Sequence, residues 1–230
     1  MGPTNTNGAM LSYAYRIQTG RESFLGLGAS IGASEYAING DMLRANDPND
    51  PNLPEGRVNM FTPNMNLGMF FHNNRFYAGV SAYNMIGRGA LEREDIALAY
   101  HDFHYYITAG VMIPVSDNVQ FKPSFLIKEV KGAPTSYDIN AMILFKERLW
   151  LGASYRSNMQ IGMENLQDNL NQRNAVAFLL EVFATNNLRL GYAYDHSMNV
   201  LSDYRNNSHE ISVGYYIAPR SVTMKNPRWF

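Results

Sequence analysis

The chain has 230 residues, enough for one large all-β domain, and a formal net charge of −1, with no basic field for nucleic acid and no acidic tail. It has no cysteine, which excludes disulfides and thiolate metal sites. No run of about 18 apolar residues occurs, so no transmembrane helix is predicted, while a negative mean hydropathy leaves room for a transmembrane barrel whose strands hide every second residue.

Taken in order, the chain reads as strands joined by turns. Gly8 to Gln18 is the first, with Leu11, Tyr13, Tyr15 and Ile17 on one face, and Thr19 to Glu22 turns it back. Ser23 to Glu35 is the second: Leu25, Leu27, Ala29 and Ile31 face one way, and Gly26, Gly28, Ser30 and Gly32 the other. Tyr36 to Phe61 reads as a long loop, because Pro48, Pro51 and the Asx residues between them favour turns over a ladder. Thr62 to His72 and Arg75 to Asn84 are the third and fourth strands, joined at Asn73-Asn74. Met85 to His101 is a second long connection, and Asp102 to Val115 the fifth strand.

The sixth to eighth strands lie in Val119 to Arg156 and carry the cleanest alternation. Val119, Phe121, Phe125 and Ile127 alternate with Gln120, Lys122, Ser124 and Lys128. Tyr137, Ile139, Ala141, Ile143 and Phe145 then alternate with Asp138, Asn140, Met142 and Leu144, and Leu149, Leu151, Ala153 and Tyr155 with Trp150, Gly152, Ser154 and Arg156. Asn158 to Arg173 is a third long polar loop. Asn174 to Ala184, Asn187 to His196 and Asn207 to Ile217 are the last three strands. Residues 1–217 are expected to form the barrel body. Residues 218–230, with Pro219 and Pro227, are expected to form an irregular tail.

Short turns fill every odd-numbered connection and longer ones the even-numbered connections, among which only Lys131 to Thr135 is brief. A soluble sandwich has no reason to sort loops by end, whereas an outer-membrane barrel does. The predicted fold is therefore all-β, an antiparallel up-and-down transmembrane β-barrel with about eleven strands present of a larger even-stranded barrel. The opening MGPTNTNG has no basic start, hydrophobic centre or cleavage site, so Met1 is expected to lie inside a longer exported protein.

Candidate sites follow from the same alternation. Lys122, Lys128, Asp138, Arg156, Glu181, Arg189, Asp195 and Glu210 all fall opposite the apolar stripe. A cation facing lipid costs about 2–4 kcal/mol at the midplane, so these residues are expected to face the lumen and pair across strands, mainly to fix register. Gly26, Gly28 and Gly32 approach a dinucleotide fingerprint, but the third glycine is misplaced and no helix follows. His101, Asp102 and His104 lack a third ligand on one face, and Asp47 and Asp50 lack the glycine and terminal glutamate of a calcium loop. No catalytic, metal or cofactor-binding residue is singled out, and no cofactor is expected.

A resemblance adds to this reading. Lys122-Pro123-Ser124, Lys128, Gly132-Ala133-Pro134, Asp138, Asn140, Arg148-Leu149-Trp150-Leu151-Gly152 and Tyr155-Arg156 occur in an order that resembles the PorP/SprF family. The similarity also takes in Gly2 to Asn5, Leu11 to Arg16, Arg75 to Ser81, Leu190 to Asp195, Ser208 to Ile211 and Asn226 to Arg228. It implies a non-enzymatic outer-membrane component of the type IX secretion system of a Gram-negative cell, serving protein secretion, surface attachment and gliding motility. Partners implied are the lipid bilayer, periplasmic ring or anchor proteins, and secreted surface cargo such as adhesins. The alternatives from the residues alone are a porin-like channel for small solutes and a soluble ligand-binding barrel of lipocalin type.

Overall fold

The computed structural model describes residues 3–43, 56–86, 102–131, 133–159, 174–198 and 207–217. They form one antiparallel sheet of β1 (Thr4–Gln18), β2 (Phe24–Asn39), β3 (Arg57–His72), β4 (Phe76–Tyr83), β5 (His104–Val111), β6 (Ile113–Ser116), β7 (Val119–Val130), β8 (Thr135–Phe145), β9 (Leu149–Met159), β10 (Ala175–Phe183), β11 (Leu188–Ser197) and β12 (Ser208–Tyr215). Neighbours in sequence are neighbours in the sheet, with β6 continuing β5 along the start of β7. This up-and-down order puts connections 19–23, 73–75, 117–118, 146–148 and 184–187 at one end. The strand ends that lead into the longer connections, among them Asn39, Arg57, Tyr83 and His104, lie at the other. β1 and β12 run in the same direction, and among the described residues no ladder joins them, so the sheet is open.

Three sequence-based boundaries are corrected. The fifth predicted strand is divided at Met112, whose N–H donates to the Arg75 carbonyl at 2.6 Å. Beyond it the register shifts between Pro114 and Ser116, where proline has no N–H to give the ladder. Second, the β2–β3 ladder runs from Phe24↔His72 to Asn39↔Arg57, so Tyr36–Asn39 and Arg57–Phe61 are strand and not loop. Tyr36, Ile38, Val58 and Met60 hold the period of two on one face there, and Ile38 and Met60 are buried. Pro63 fits inside β3 because β4 pairs with β3 only from Leu67 to His72, leaving one edge without a ladder to break. Third, β1 begins at Thr4 and β9 runs on to Met159, each beyond the predicted end. The remainder of the Asn158 to Arg173 loop, and residues 218–230, lie outside the described residues.

The turn between β8 and β9 carries backbone strain. Lys146 and Glu147 both have positive φ, 46° and 56°, and Arg148 N–H donates to the Phe145 carbonyl at 3.0 Å. Two left-handed residues in succession mark a type I′ hairpin turn, which favours Asn-Gly and penalises residues with longer side chains. The double change Lys146→Asn with Glu147→Gly is expected to stabilise the protein by about 1 kcal/mol, read as a raised urea midpoint in detergent.

Candidate functional site

Residues paired across an antiparallel ladder point to the same face, so the register sorts the whole sheet into two faces. On one face Phe125↔Ile139↔Tyr155 and Phe121↔Ile143↔Leu151 form continuous rows. Val176↔Tyr155, Phe178↔Ala153 and Leu180↔Leu151 extend them. Leu11↔Ile31↔Met65 and Tyr13↔Ala29↔Leu67 occupy the same face at the other edge. Large apolar residues on this face lie in solvent, among them Leu11 at 77% exposure, Ile139 at 54% and Phe178 at 56%. Such a surface far exceeds the apolar patches that soluble monomers leave open.

Its height is informative. In β7 the outward run Val119, Phe121, Pro123, Phe125, Ile127 ends at Glu129, and in β8 it extends from Phe145 to Tyr137. A run of about nine residues spans about 30 Å of strand, or about 23 Å along the normal at a tilt of about 40°, close to the apolar band of a membrane barrel. Phe71 and Phe76 border the band near the short turns, and Tyr105, Tyr137 and Tyr155 lie toward the longer connections. In β11 and β12 the border becomes a polar network. Tyr192 Oη lies 2.7 Å from His209 Nδ1, Asn207 Nδ2 donates to Tyr194 Oη at 2.7 Å, and His196 Nδ1 donates to Asn207 Oδ1 at 2.9 Å. Amphipathic rings at this level suit the headgroup region.

The opposite, inner face holds every charged position singled out from the alternation. Lys122↔Met142, Asp138↔Arg156, Glu181↔Trp150, Arg189↔Phe183, Asp195↔Ala177 and Glu210↔Ala193 fall on it by register, and Lys128 pairs with Ser136 beside Asp138. The structure brings some of them together. Asp138 is the centre: its Oδ2 lies 2.7 Å from Lys128 Nζ and its Oδ1 accepts from Arg156 Nε at 2.9 Å. The Asp138 side chain is only 8% exposed, whereas Lys128 and Arg156 are 32% and 48% exposed. Glu181 Oε2 lies 3.6 Å from Arg189 Nη1. Asp195 and Glu210 make no ion pair among the described residues. Lys122 sits between two rings, 5.3 Å from the centre of Tyr77 and 5.8 Å from that of Trp150.

At the short-turn end the inner face is not the small and polar surface that the alternation predicts. It carries a hoop of rings and cations, one contact leading to the next. Arg16 lies 3.9 Å over Phe24, Phe24 stacks on His72 at 5.5 Å, Phe70 lies 6.0 Å from His72, and Phe70 stacks on Tyr77 at 5.6 Å. Lys122 joins Tyr77 to Trp150, which clusters with Met112, Leu144 and Phe183. Arg189, paired with Phe183 in the ladder, completes the hoop 5.9 Å from Tyr216. Glycines make room for it. A Cβ at Gly79 would meet the Phe70 ring at 2.8 Å, and one at Gly110 the Tyr77 ring at 2.6 Å. In each case the ring lies flat over the glycine directly opposite in the ladder.

Elsewhere, Gly26, Gly28 and Gly32 line the inner face of β2, where Gly26 and Gly28 border a groove of about 490 Å³ shared with Ser30, Gly68 and Ser81. His104 Nδ1 lies 2.8 Å from the Asp102 carbonyl and 3.3 Å from Asn84 Nδ2, a strand-end contact. No group of metal-ligating residues occurs among the described residues. Asp47, Asp50 and His101 lie outside the described residues.

A crystal structure of a Pseudomonas aeruginosa FadL homologue matches with a TM-score of 0.43 and 12% identity, over 84% of this chain and 60% of that one. The chain thus spans less than two thirds of that protein. No curated protein matches. The family model for the type IX secretion system membrane protein PorP/SprF matches residues 1–215. With nearly the whole chain covered, this antiparallel β protein belongs to the PorP/SprF family of type IX secretion system membrane proteins.

Proposed function

We propose that the chain is part of an outer-membrane component of the type IX secretion system that supports secretion or surface attachment of cargo such as adhesins, including cargo used in gliding motility. The observation that carries the membrane half of this reading is the outward apolar band, exposed on strand after strand and bordered by tyrosines. Family membership supplies the secretion system. The role is structural and interactive, with no chemistry assigned to any side chain. Residues 1–217 are the barrel body and residues 218–230 its tail. The short-turn end faces the periplasm and meets ring or anchor proteins, while the longer connections face outward and meet cargo. The inner-face charges at Lys122, Lys128, Asp138, Arg156, Glu181, Arg189, Asp195 and Glu210 hold the strands in register around the interior.

Deleting the gene tests the proposal. Surface display of at least one secreted adhesin is expected to be lost, measured by antibody labelling of whole cells, and to return on complementation. Unchanged display of every secretion-system cargo in the deletion strain overturns it.

A further inference from the structure

Two neighbouring hairpins enclose a cavity of about 200 Å³ at the short-turn end. It lies between the turn joining β6 to β7, Asp117 and Asn118, and the turn joining β8 to β9, Lys146 and Glu147. Gln120 and Leu144, a ladder pair of the inner face, also line it. The backbone fixes its shape. Lys146 N–H donates to the Asn118 carbonyl at 2.8 Å and ties the two turns together, while Arg148 N–H closes the second turn on the Phe145 carbonyl. Leu144 is buried, so one side of the cavity is packed wall. The site is formed before anything enters it, and binding there loses little ordering entropy.

Size and charge select the occupant. Pockets for drug-sized ligands run to about 300–1,000 Å³, so this smaller one suits a single long side chain. Asp117 and Glu147 bring two carboxylates to it and Lys146 one ammonium, and Asn118 and Gln120 add amide oxygens. Neither carboxylate makes an ion pair among the described residues. An entering cation meets charge-assisted acceptors, whereas an entering carboxylate meets two like charges. The backbone points the same way. Lys146 and Glu147 keep long charged side chains at φ of 46° and 56°, and strain of this kind concentrates at ligand clamps, where the surroundings hold it in place.

We propose that this pocket takes one basic side chain of a periplasmic partner and so anchors that partner to the short-turn rim. The compartment rests on the proposed orientation, with the short turns in the periplasm. The chemistry of the pocket does not.

The test titrates the full chain in detergent micelles with two blocked tripeptides, acetyl-glycyl-arginyl-glycine amide and its glutamyl counterpart. Binding is followed through the side-chain amide resonances of Asn118 and Gln120. The arginyl peptide is expected to bind on the order of tenfold more tightly than the glutamyl one. Asp117→Asn with Glu147→Gln is expected to remove that preference and leave the urea midpoint unchanged, since both residues are exposed. Lys146→Met, which removes only the cation, is expected to strengthen arginyl binding. Lys146→Asn with Glu147→Gly separates a binding site from a merely structural turn, because it is expected to raise the urea midpoint and weaken arginyl binding together. Ending the chain at Ile217 is expected to leave the titration unchanged. Tighter binding to that shortened chain would assign the pocket to the chain's own Arg220, Lys225 or Arg228 and overturn the proposal. Absence of arginyl binding, equal binding of the two peptides, or a preference that survives loss of both carboxylates also overturns it. The titration is independent of secretion, so a misread pocket and a misread secretion role fail in different experiments.

Discussion

Replacing Ile139 with arginine is expected to cost about 2–4 kcal/mol and to reduce the membrane-inserted fraction, the penalty for a cation facing lipid near the bilayer midplane. Ile139 lies midway along β8, 54% exposed, between Phe125 and Tyr155 on the outward face. If that face met water, the same change would remain within about 0.5 kcal/mol and would improve solubility, because exposed positions without special contacts tolerate most residues. Asn140 is the control. It is the next residue in the same strand, but it pairs with Ser124 and Ser154 on the inner face. Asn140→Arg is expected to insert as wild type does. Urea titration in phospholipid, together with heat-modifiable gel mobility, separates the two variants. Equal stability of Ile139→Arg and wild type would show that lipid does not cover this face.

That test depends on a pattern readable in the sequence. The alternation in Val119 to Arg156 assigns Ile139 outward and Asn140 inward before any ladder is seen. The same period located the hairpins, because each strand pairs with its neighbour in sequence and needs no long-range partner. What failed to show was decided across the ladder. Tyr36, Ile38, Val58 and Met60 keep the strand period, but prolines and Asx residues nearby outweighed them until pairing of β2 with β3 settled the matter. The hoop was hidden for a related reason. Leu144 and Trp150 stand opposite each other, and Phe70 stands opposite Gly79, yet a single strand says nothing about what lies across from it. Trp150 and Phe183 at inward positions were the available signal, since a water-filled lumen has little use for bulky apolar side chains beside a turn.

The charge network at Asp138 is expected to respond unequally to loss of its anion and loss of its cations. Asp138→Leu leaves Lys128 and Arg156 without their shared partner, but both side chains already reach water, so the cost is about 1–2 kcal/mol. Removing the cations together, by Lys128→Met and Arg156→Met, strands a carboxylate that is 8% exposed and costs about 3–5 kcal/mol. Changing all three to apolar residues is expected to recover most of that loss, since an unpaired buried charge is the source of the penalty. The order has a structural meaning. Small residues such as Ala141 and Ala153 face each other nearby and discriminate weakly between registers, whereas a slip by one residue would turn Asp138 toward the outward face and separate it from both cations. Urea midpoints for the single, double and triple variants form the measurement. If the costs simply add, the three residues act independently and register must be fixed by the apolar rows and the hoop instead.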